Sequence, residues 1–194
     1  MIDTQTLIEC TGAARADAER YTLHLADGMN RFGIHSANTM AVFLGQLAVE
    51  SDALQKVEEN LHYPTPARLR EIFPSLFVKG GYRAEEYVRN PRGLSMLRYK
   101  GFHGRGLIQL TWEDAYIAAG HALGVDFRRY PELLLHPQYA AQSACWFFAV
   151  FKDCLPAAEH GDVYEVTGRV NGLARLKLAE RKAVTARAYK VLSQ

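Results

Sequence analysis

The stretch LGQLAVESDALQKVEEN, residues 44–60, decides the fold of this chain because it joins an apolar helical run that ends in Glu50 to a second acidic cluster, Glu58 and Glu59. Apolar residues recur at helical spacing before Glu50, and this pattern predicts one buried helix face. Glu50 follows Leu47 by three residues, so its carboxyl group lies on or next to that face. Such a group is either a pocket acid that keeps its proton or a salt-bridged core residue.

The second acid, Glu59, follows Glu50 by nine residues. On one continuous helix, this spacing would separate the two acids by about 13–14 Å along the axis and place them on opposite faces. Two carboxyl groups that cleave a glycosidic bond lie roughly 5–9.5 Å apart. The acids can therefore act together only if the helix ends near Glu50, and Ser51-Asp52 is the predicted breaking point. The alternative is a pair of unrelated surface acids.

Composition indicates one globular domain. The chain has 194 residues, of which 48% are hydrophobic, enough for one domain with a sizeable core over residues 1–194. A net charge of +2 is too small to predict a nucleic-acid partner. The segment after Asp162 is more basic, which suits a polyanionic partner but is more typical of a solvated helix face.

The cysteines and the N-terminal segment indicate a reducing compartment. The three cysteines, Cys10, Cys145 and Cys154, lack CxxC spacing, which argues against a disulfide framework and a zinc site. The seven histidines show no ligand spacing either, so we expect no metal and no other cofactor. Residues 1–21 lack the apolar core of a signal peptide, and no apolar run reaches about 18 residues, so we expect no stable membrane association.

Periodicity predicts a mostly α-helical chain. One helix is capped by Ser36 or Asn38 and ends at Glu50, and Thr111 is predicted to cap another. The apolar segment 138–151 is predicted to be the central core helix. The pattern is ambiguous over 91–99. The remaining predicted helices cover 4–10, 13–30, 67–73, 82–89, 112–123, 131–136, 162–170 and 176–192.

The glycine-rich segment KGFHGRGLIQLT, residues 100–111, interrupts the helical pattern. Its three glycines predict an irregular loop or short strand whose backbone closely approaches another group. Gln109 and Thr111 lie two apart, so an extended segment would present an amide and a hydroxyl together to bind a sugar or hold a water. The alternative is that both side chains satisfy backbone groups. Aromatic residues near this segment suit sugar stacking or core packing: Tyr63, Phe102, Trp112 and Tyr116.

Several segments together resemble the glycoside hydrolase family 19 chitinases, and most closely their phage and prophage endolysin branch. In the family's order they are AVFLGQLAVES (41–51), VEENLHY (57–63), GFHGRGLIQLT (101–111), AAGHALGVD (118–126), PELLLHP (131–137) and RVNGL…LAERKAVTARAYKVL (169–192). The resemblance implies a mainly α, lysozyme-like domain with two lobes, a central buried helix and little or no β structure. It also implies hydrolysis of a β-1,4 bond between N-acetylated aminosugars.

The resemblance also implies roles for individual residues. Glu50 is similar to the family's general acid, and Glu59 to the carboxylate that acts as base on a water in an inverting mechanism. Thr111 matches the hydroxyl that positions this water, and Gln109 matches a substrate-binding amide. Arg105, Asn171 and Arg181 match positions that support the substrate cleft.

The chain departs from the family pattern near the expected site. Val49 stands where the family usually has histidine, and Asp52-Ala53 stand where it usually has two glycines. Leu173 replaces a common glycine, and Ala115 replaces a frequent substrate-binding asparagine. None of these changes removes an expected proton-transfer group, so we expect altered substrate contacts rather than altered chemistry.

These expectations favour an endolysin that cleaves the glycan strands of peptidoglycan. We expect a monomer that is stored in the host cytoplasm, released through a holin pore and active in the periplasm and cell wall. A chitinase is the rival enzyme. An inactive glycan-binding domain is the non-enzyme alternative.

Overall fold

The computed structural model describes residues 2–194, and this part of the chain is mainly α-helical without a β-sheet. The α-helices are α1 (Thr4–Thr11), α2 (Arg15–Arg31), α3 (Ala37–Glu50), α4 (Pro66–Ile72), α5 (Pro91–Tyr99), α6 (Glu113–Leu123), α7 (Pro137–Trp146), α8 (Leu155–Glu159), α9 (Val163–Asn171) and α10 (Leu178–Leu192). Two 3-10 turns cover Ala84–Tyr87 and Pro131–Leu135, and a π-helical segment covers Phe147–Phe151. The predicted fold class is confirmed.

The central buried helix is α3. Ser36 caps it by accepting a hydrogen bond from the Thr39 N–H at 3.1 Å, and every residue from 41 to 49 is buried. The prediction that 138–151 forms the central helix is wrong. This segment ends as an α-helix at Trp146 and is buried on one side only, since Phe151 is 43% exposed.

Helix α10 packs against α3 in antiparallel orientation. A Cβ at Gly45 would come within 2.1 Å of Thr185 Oγ1, so only a glycine permits this close approach. On the same interface, Arg181 reaches Glu50. The contacts of Gly45 with Thr185 and of Glu50 with Arg181 set the register between the two helices.

A second, smaller hydrophobic cluster lies between α3 and the glycine-rich loop in the sequence. It gathers Leu61, Leu69, Phe73, Phe77, Ala84 and Leu94 from the region of α4 and α5. The chain therefore has two lobes. In this smaller lobe, the segment predicted as a helix over 82–89 forms only the turn Ala84–Tyr87, whereas the ambiguous segment 91–99 forms α5.

All three cysteines are free and buried. Burial raises the pKa of the Cys10 thiol to about 11 and that of the Cys154 thiol to about 12, so both stay protonated at neutral pH. Cys145 is a core residue at the interface of α2 and α7, as predicted. Along residues 2–194, no helix is both long and apolar enough to cross a bilayer.

Helix α3 ends at Glu50, as predicted, and the chain turns through a left-handed segment. Asp52, Ala53 and Leu54 have φ of 52°, 54° and 70°, values that favour glycine. The Ser51 hydroxyl stabilises this turn because it donates to Leu47 O at 2.7 Å and accepts from the Leu54 N–H at 2.9 Å. The turn therefore forms although Asp52 and Ala53 stand where the family that the sequence resembles usually has glycines.

Ala53→Gly should raise the free energy of unfolding by about 0.5–1 kcal/mol. Glycine adopts this φ without the steric cost of a Cβ. Urea denaturation followed by circular dichroism measures the change.

Ala183→Gly is the matched control, because Ala183 is exposed in the right-handed helix α10. It should lower the free energy of unfolding by about 0.5–1 kcal/mol. Two substitutions with the same sign would contradict the role of the left-handed turn.

Candidate active site

Glu50 is the last residue of α3, and its carboxylate is held by two other helices. Arg181 of α10 donates to Glu50 Oε1 from Nη2 at 2.6 Å, and Asn171 Nδ2 lies 3.5 Å from the same oxygen. The Glu50 side chain keeps 18% of its surface exposed. Glu50 thus has features of both predicted alternatives, since it is salt-bridged and also faces a cavity.

Arg181 is buried and bonded at each nitrogen of its guanidinium. Nη1 donates to Gln46 Oε1 at 2.7 Å, and Nε donates to Leu176 O at 3.1 Å. Gln46 in turn donates from Nε2 to Thr167 Oγ1 at 3.1 Å. This chain of bonds fixes the plane of the guanidinium, so the Glu50 carboxylate has one preferred position.

Glu59 is held mainly by the backbone of the glycine-rich loop. The Glu59 N–H donates to Gly104 O at 2.8 Å, and the Gly104 N–H donates back to Glu59 Oε2 at 3.1 Å. The Tyr99 hydroxyl donates to Glu59 Oε1 at 2.8 Å. Burial and this hydrogen bond both raise the pKa of Tyr99, so the hydroxyl remains a donor throughout the neutral range.

Gly104 is the point where the predicted site residues meet. A Cβ there would lie 3.0 Å from Gln109 Oε1 and 3.4 Å from both Glu59 Cβ and Thr111 Oγ1. These contacts confirm the prediction that the backbone of this loop closely approaches another group. They bring Glu59, Gln109 and Thr111 around one residue that has no side chain.

Two details of the loop differ from the predictions. Gln109 has φ of 55°, so the segment is a turn rather than an extended strand. Thr111 does not cap α6, because the N-cap is Trp112, which forms no side-chain cap bond. The Thr111 hydroxyl donates instead to Gln109 O at 2.9 Å, and Gln109 Nε2 donates to Gly106 O at 3.1 Å. Both side chains therefore also satisfy backbone groups.

Arg105 stabilises the glycine-rich loop through an ion pair and hydrogen bonds. It pairs with Glu58, with Nε 3.3 Å from Oε1, and Nη1 donates to Tyr116 Oη at 3.1 Å. His103 adds a second contact to Glu58 at 2.9 Å and is hydrogen-bonded to Ser95 at 2.6 Å. The network lies next to Glu59 in the chain but leaves the Glu59 carboxylate free of cations.

Tyr116 cannot stack on a sugar. Its side chain is fully buried, with its ring edge-on to Phe102 at 5.2 Å, and its hydroxyl donates to His103 O. The predicted substrate contact of Tyr116 is therefore wrong, and the residue supports the loop. Tyr63 is half-buried and packs edge-on against Phe73 at 5.5 Å. Trp112 is 46% exposed, and the guanidinium carbon of Arg98 lies over its ring, 4.9 Å from the centroid.

The two carboxylates line two cavities that share the glycine-rich loop as a wall. One, of about 450 Å³, is lined by Glu50, Ile108, Gln109, Thr111, Trp112, Asp114, Ala115, Phe147, Phe151, Lys152, Val170 and Asn171. The other, of about 730 Å³, is lined by Glu58, Glu59, Asn60, Leu61, His62, Pro91, Arg92, Ser95, Met96, Gly101, His103, Arg105, Pro131 and Glu132. Within residues 2–194, no group of His, Cys, Asp or Glu side chains is arranged to hold a metal ion.

Several residues of the site were missed by the sequence analysis. Tyr99 carries no local signal, because its partner Glu59 lies forty residues earlier in the chain. Gln46 had a signal, since it is a polar residue four positions before Glu50 within the apolar run of α3. The contribution of Phe147 and Lys152 depends on the π-helical segment, which periodicity did not predict.

Comparison with known proteins identifies this chain as a glycoside hydrolase, an enzyme that cleaves glycans. The family described as chitinase class I, glycoside hydrolase family 19, matches residues 71–183, more than half of the chain. The chain therefore belongs to glycoside hydrolase family 19. Glu50 and Glu59 precede the matched range, so their places in the site come from the structure.

The curated relatives agree with this membership. A glycosyl hydrolase family 19 domain-containing protein from Haemophilus influenzae is 29% identical over 150 residues, covering 68% of this chain and 70% of that protein. Chitinase 10 from Oryza sativa subsp. japonica is 42% identical over 59 residues, covering 30% of this chain. The matched part spans only 20% of the rice chitinase's length.

Solved structures show the same fold. Chitinase C from Streptomyces griseus superimposes with a TM-score of 0.66 at 17% identity, over 100% of this chain and 77% of that one. A bacterial family 19 chitinase superimposes with a TM-score of 0.68 at 18% identity, over 98% and 94% of the two chains. The lysozyme-like helical fold of family 19 thus extends over the whole described chain.

Tyr99→Phe should lower kcat on a glycan substrate about 10- to 150-fold while KM changes little. The variant removes one hydrogen bond to the Glu59 carboxylate, and such bonds contribute roughly 1.5–3 kcal/mol. Steady-state kinetics measures the split between kcat and KM. Tyr189→Phe, an exposed tyrosine on α10, is the control and should match the wild type. An unchanged kcat in Tyr99→Phe would show that this hydrogen bond to Glu59 does not contribute to catalysis.

Proposed function

We propose that this chain hydrolyses β-1,4 bonds in the glycan strands of bacterial peptidoglycan. The observation that carries the proposal is the arrangement of two separately held carboxylates around one glycine-rich loop. Glu50 is fixed by side chains of α9 and α10, whereas Glu59 is fixed by the backbone of Gly104. Two carboxyl groups in different environments suit the separate roles of acid and base.

In the proposed reaction, Glu50 donates its proton to the glycosidic oxygen as the bond from that oxygen to the anomeric carbon breaks. The carboxylate that remains is stabilised by Arg181 at 2.6 Å. Glu59 accepts a proton from a water whose oxygen attacks the anomeric carbon from the opposite face. The attack forms one C–O bond, the departure breaks another, and the anomeric configuration inverts.

Thr111 is proposed to hold the attacking water. Its hydroxyl proton is donated to Gln109 O, so the lone pairs of Oγ1 remain available to accept a hydrogen bond from water. Glu59 lies next to Thr111 at Gly104, where an added Cβ would be 3.4 Å from both residues, and it accepts the second proton of that water. Gln109 and the exposed ring of Trp112 line the Glu50 cavity and are proposed to contact the sugar.

The choice of peptidoglycan rests on charge. The sequence pI is about 8.4, and bacterial walls carry many carboxylates, whereas chitin is neutral. Lys182 and Lys190 are exposed on α10, and no carboxylate lies within ion-pair distance of either in residues 2–194. They would attract an anionic wall.

The cellular role proposed with this substrate is host-cell lysis by a monomeric endolysin. The three buried, free thiols suit storage in a reducing cytoplasm, from which a holin pore would release the protein to the periplasm. No nucleic acid takes part in this role.

Chitin hydrolysis is the second candidate, favoured by the relatives named as chitinases and endochitinases in Oryza sativa and Arabidopsis thaliana. The two functions are separated by comparing clearance of outer-membrane-permeabilised Gram-negative cells with release of sugars from chitin oligomers. Mass spectrometry of the products identifies the bond. Binding to purified walls, with no new reducing ends released from either walls or chitin oligomers, would overturn both proposals in favour of a glycan-binding domain.

Glu50→Gln should reduce lysis to below about one thousandth of the wild-type rate, because an amide cannot donate the required proton. Glu59→Gln should reduce the lysis rate about as much. Thr111→Ala should reduce the rate about tenfold, because the attacking water is then misplaced but still present. Cell-wall turbidity assays measure these rates, and circular dichroism verifies the fold.

Glu58→Gln is the matched control for Glu59→Gln because the two glutamates are neighbours. Glu58 contacts His103 and Arg105 rather than Tyr99 and Gly104, so its loss should cost less than about tenfold. Equal losses in the two variants, or wild-type lysis by Glu50→Gln, would refute the assignment of the carboxylates.

A further inference from the structure

The end of α7 changes from α-helical to π-helical geometry beside the Glu50 cavity. The Lys152 N–H donates to Phe147 O at 2.8 Å, five residues back, which is the π-helical bond. The wider turn stacks Phe147 on Phe151, with ring centroids 5.6 Å apart. Phe147, Phe151 and Lys152 all line the cavity that contains Glu50, Gln109 and Thr111. Single π-helical turns of this kind are frequent at functional sites.

Lys152 is a cation held in place without an acidic partner. Its Nζ lies 5.3 Å from the centre of the Phe147 ring and 5.6 Å from that of Phe151, so both rings attract the ammonium. In the described chain, no carboxylate lies within ion-pair distance of Nζ, although Glu50 and Asp114 line the same cavity. The nearby Arg169 differs, since it pairs with Glu165 and Asp153.

The ammonium group of Lys152 fits a ligand that carries a negative charge. Lys152 is the one lysine or arginine lining this cavity within residues 2–194, and it is only partly buried. An ammonium and a carboxylate form a charge-assisted hydrogen bond, while the two phenylalanine rings can cover the apolar face of a sugar or the methyl groups of a substituent.

We propose that Phe147, Phe151 and Lys152 form a subsite for a carboxylate carried by the muramic acid unit of the substrate. This inference rests on the proposed peptidoglycan hydrolysis and adds the feature that selects peptidoglycan over a neutral aminosugar polymer. In bare glycan strands the carboxylate is the lactyl group of muramic acid. In strands with stem peptides the lactyl group is already an amide, and the carboxylates are those of the peptide.

The test measures kcat/KM on the same preparation of peptidoglycan strands before and after the carboxylates of the strands are converted to amides with a carbodiimide and ammonia. Wild type should lose about tenfold on the amidated strands. Lys152→Met should show this loss already on the untreated strands, and amidation should lower its kcat/KM further only by the small loss of long-range attraction to exposed lysines such as Lys182 and Lys190. Lys152→Arg should stay near the wild type, and Lys152→Glu should be weaker than Lys152→Met. This pattern forms a cycle that isolates the contact.

The comparison is made with bare strands and with strands that carry stem peptides. Amidation should lower kcat/KM more for wild type than for Lys152→Met only on the kind of strand whose carboxylate reaches Lys152. Lys79→Met, an exposed lysine of the smaller lobe, controls for net charge and should match the wild type on every strand. Thermal denaturation of each variant verifies that the fold is retained.

Two results overturn the inference and differ from failure of the proposed function. If wild type cleaves peptidoglycan but amidation lowers kcat/KM equally for wild type and Lys152→Met, the ammonium does not contact the carboxylate. If Lys152→Met matches wild type on both kinds of untreated strand, the subsite is likewise refuted. If wild type does not cleave peptidoglycan, the proposed function fails and this inference fails with it.

Discussion

The structure depends on one buried cation. Arg181 keeps only 2% of its side-chain surface exposed, and a charge removed from water in this way must be compensated by partners inside the protein. Glu50, Gln46 and the carbonyl of Leu176 supply that compensation. Because these partners lie on α3 and in the segment before α10, the ion pair links the central helix to the last one. The close contact at Gly45 makes this possible, since a larger residue would push α10 away from α3.

The two carboxylates of the site are held by different physical means. Glu50 is held by side chains from α9 and α10, so its position depends on the packing of the larger lobe. Glu59 depends on backbone groups of Gly104 and on Tyr99 of the smaller lobe. The glycine-rich loop therefore connects the lobes, and at Gly104 an added Cβ would already be in van der Waals contact with Glu59 and Thr111, so a side chain larger than a methyl group would separate them. A change in the relative position of the lobes would alter the distance between the Glu50 and Glu59 carboxylates.

The departures from the family pattern have local structural consequences. Asp52 and Ala53 adopt a left-handed conformation that glycine would adopt at lower cost, and the Ser51 hydroxyl stabilises the turn. Ala115 is buried at the edge of the Glu50 cavity, so this wall lacks the polar group that the family frequently has there. Lys152 adds a charge to the same cavity from the end of α7. The cavity thus keeps Glu50, whereas its wall departs from the family pattern at Ala115.

The sequence by itself determined the helical class, the end of α3 at Glu50 and the close approach of the glycine-rich loop, because these follow from local periodicity, turn residues and the small size of glycine. It also indicated Gln109, Thr111 and Glu59 through the resemblance. It did not determine that α3 is the central helix, that Tyr116 is fully buried, or that Tyr99 holds Glu59. Only the tertiary structure decided these points and the π-helical turn at Lys152. The physical reason is that burial and hydrogen-bond partners depend on residues distant in the chain, whose positions local pattern does not encode.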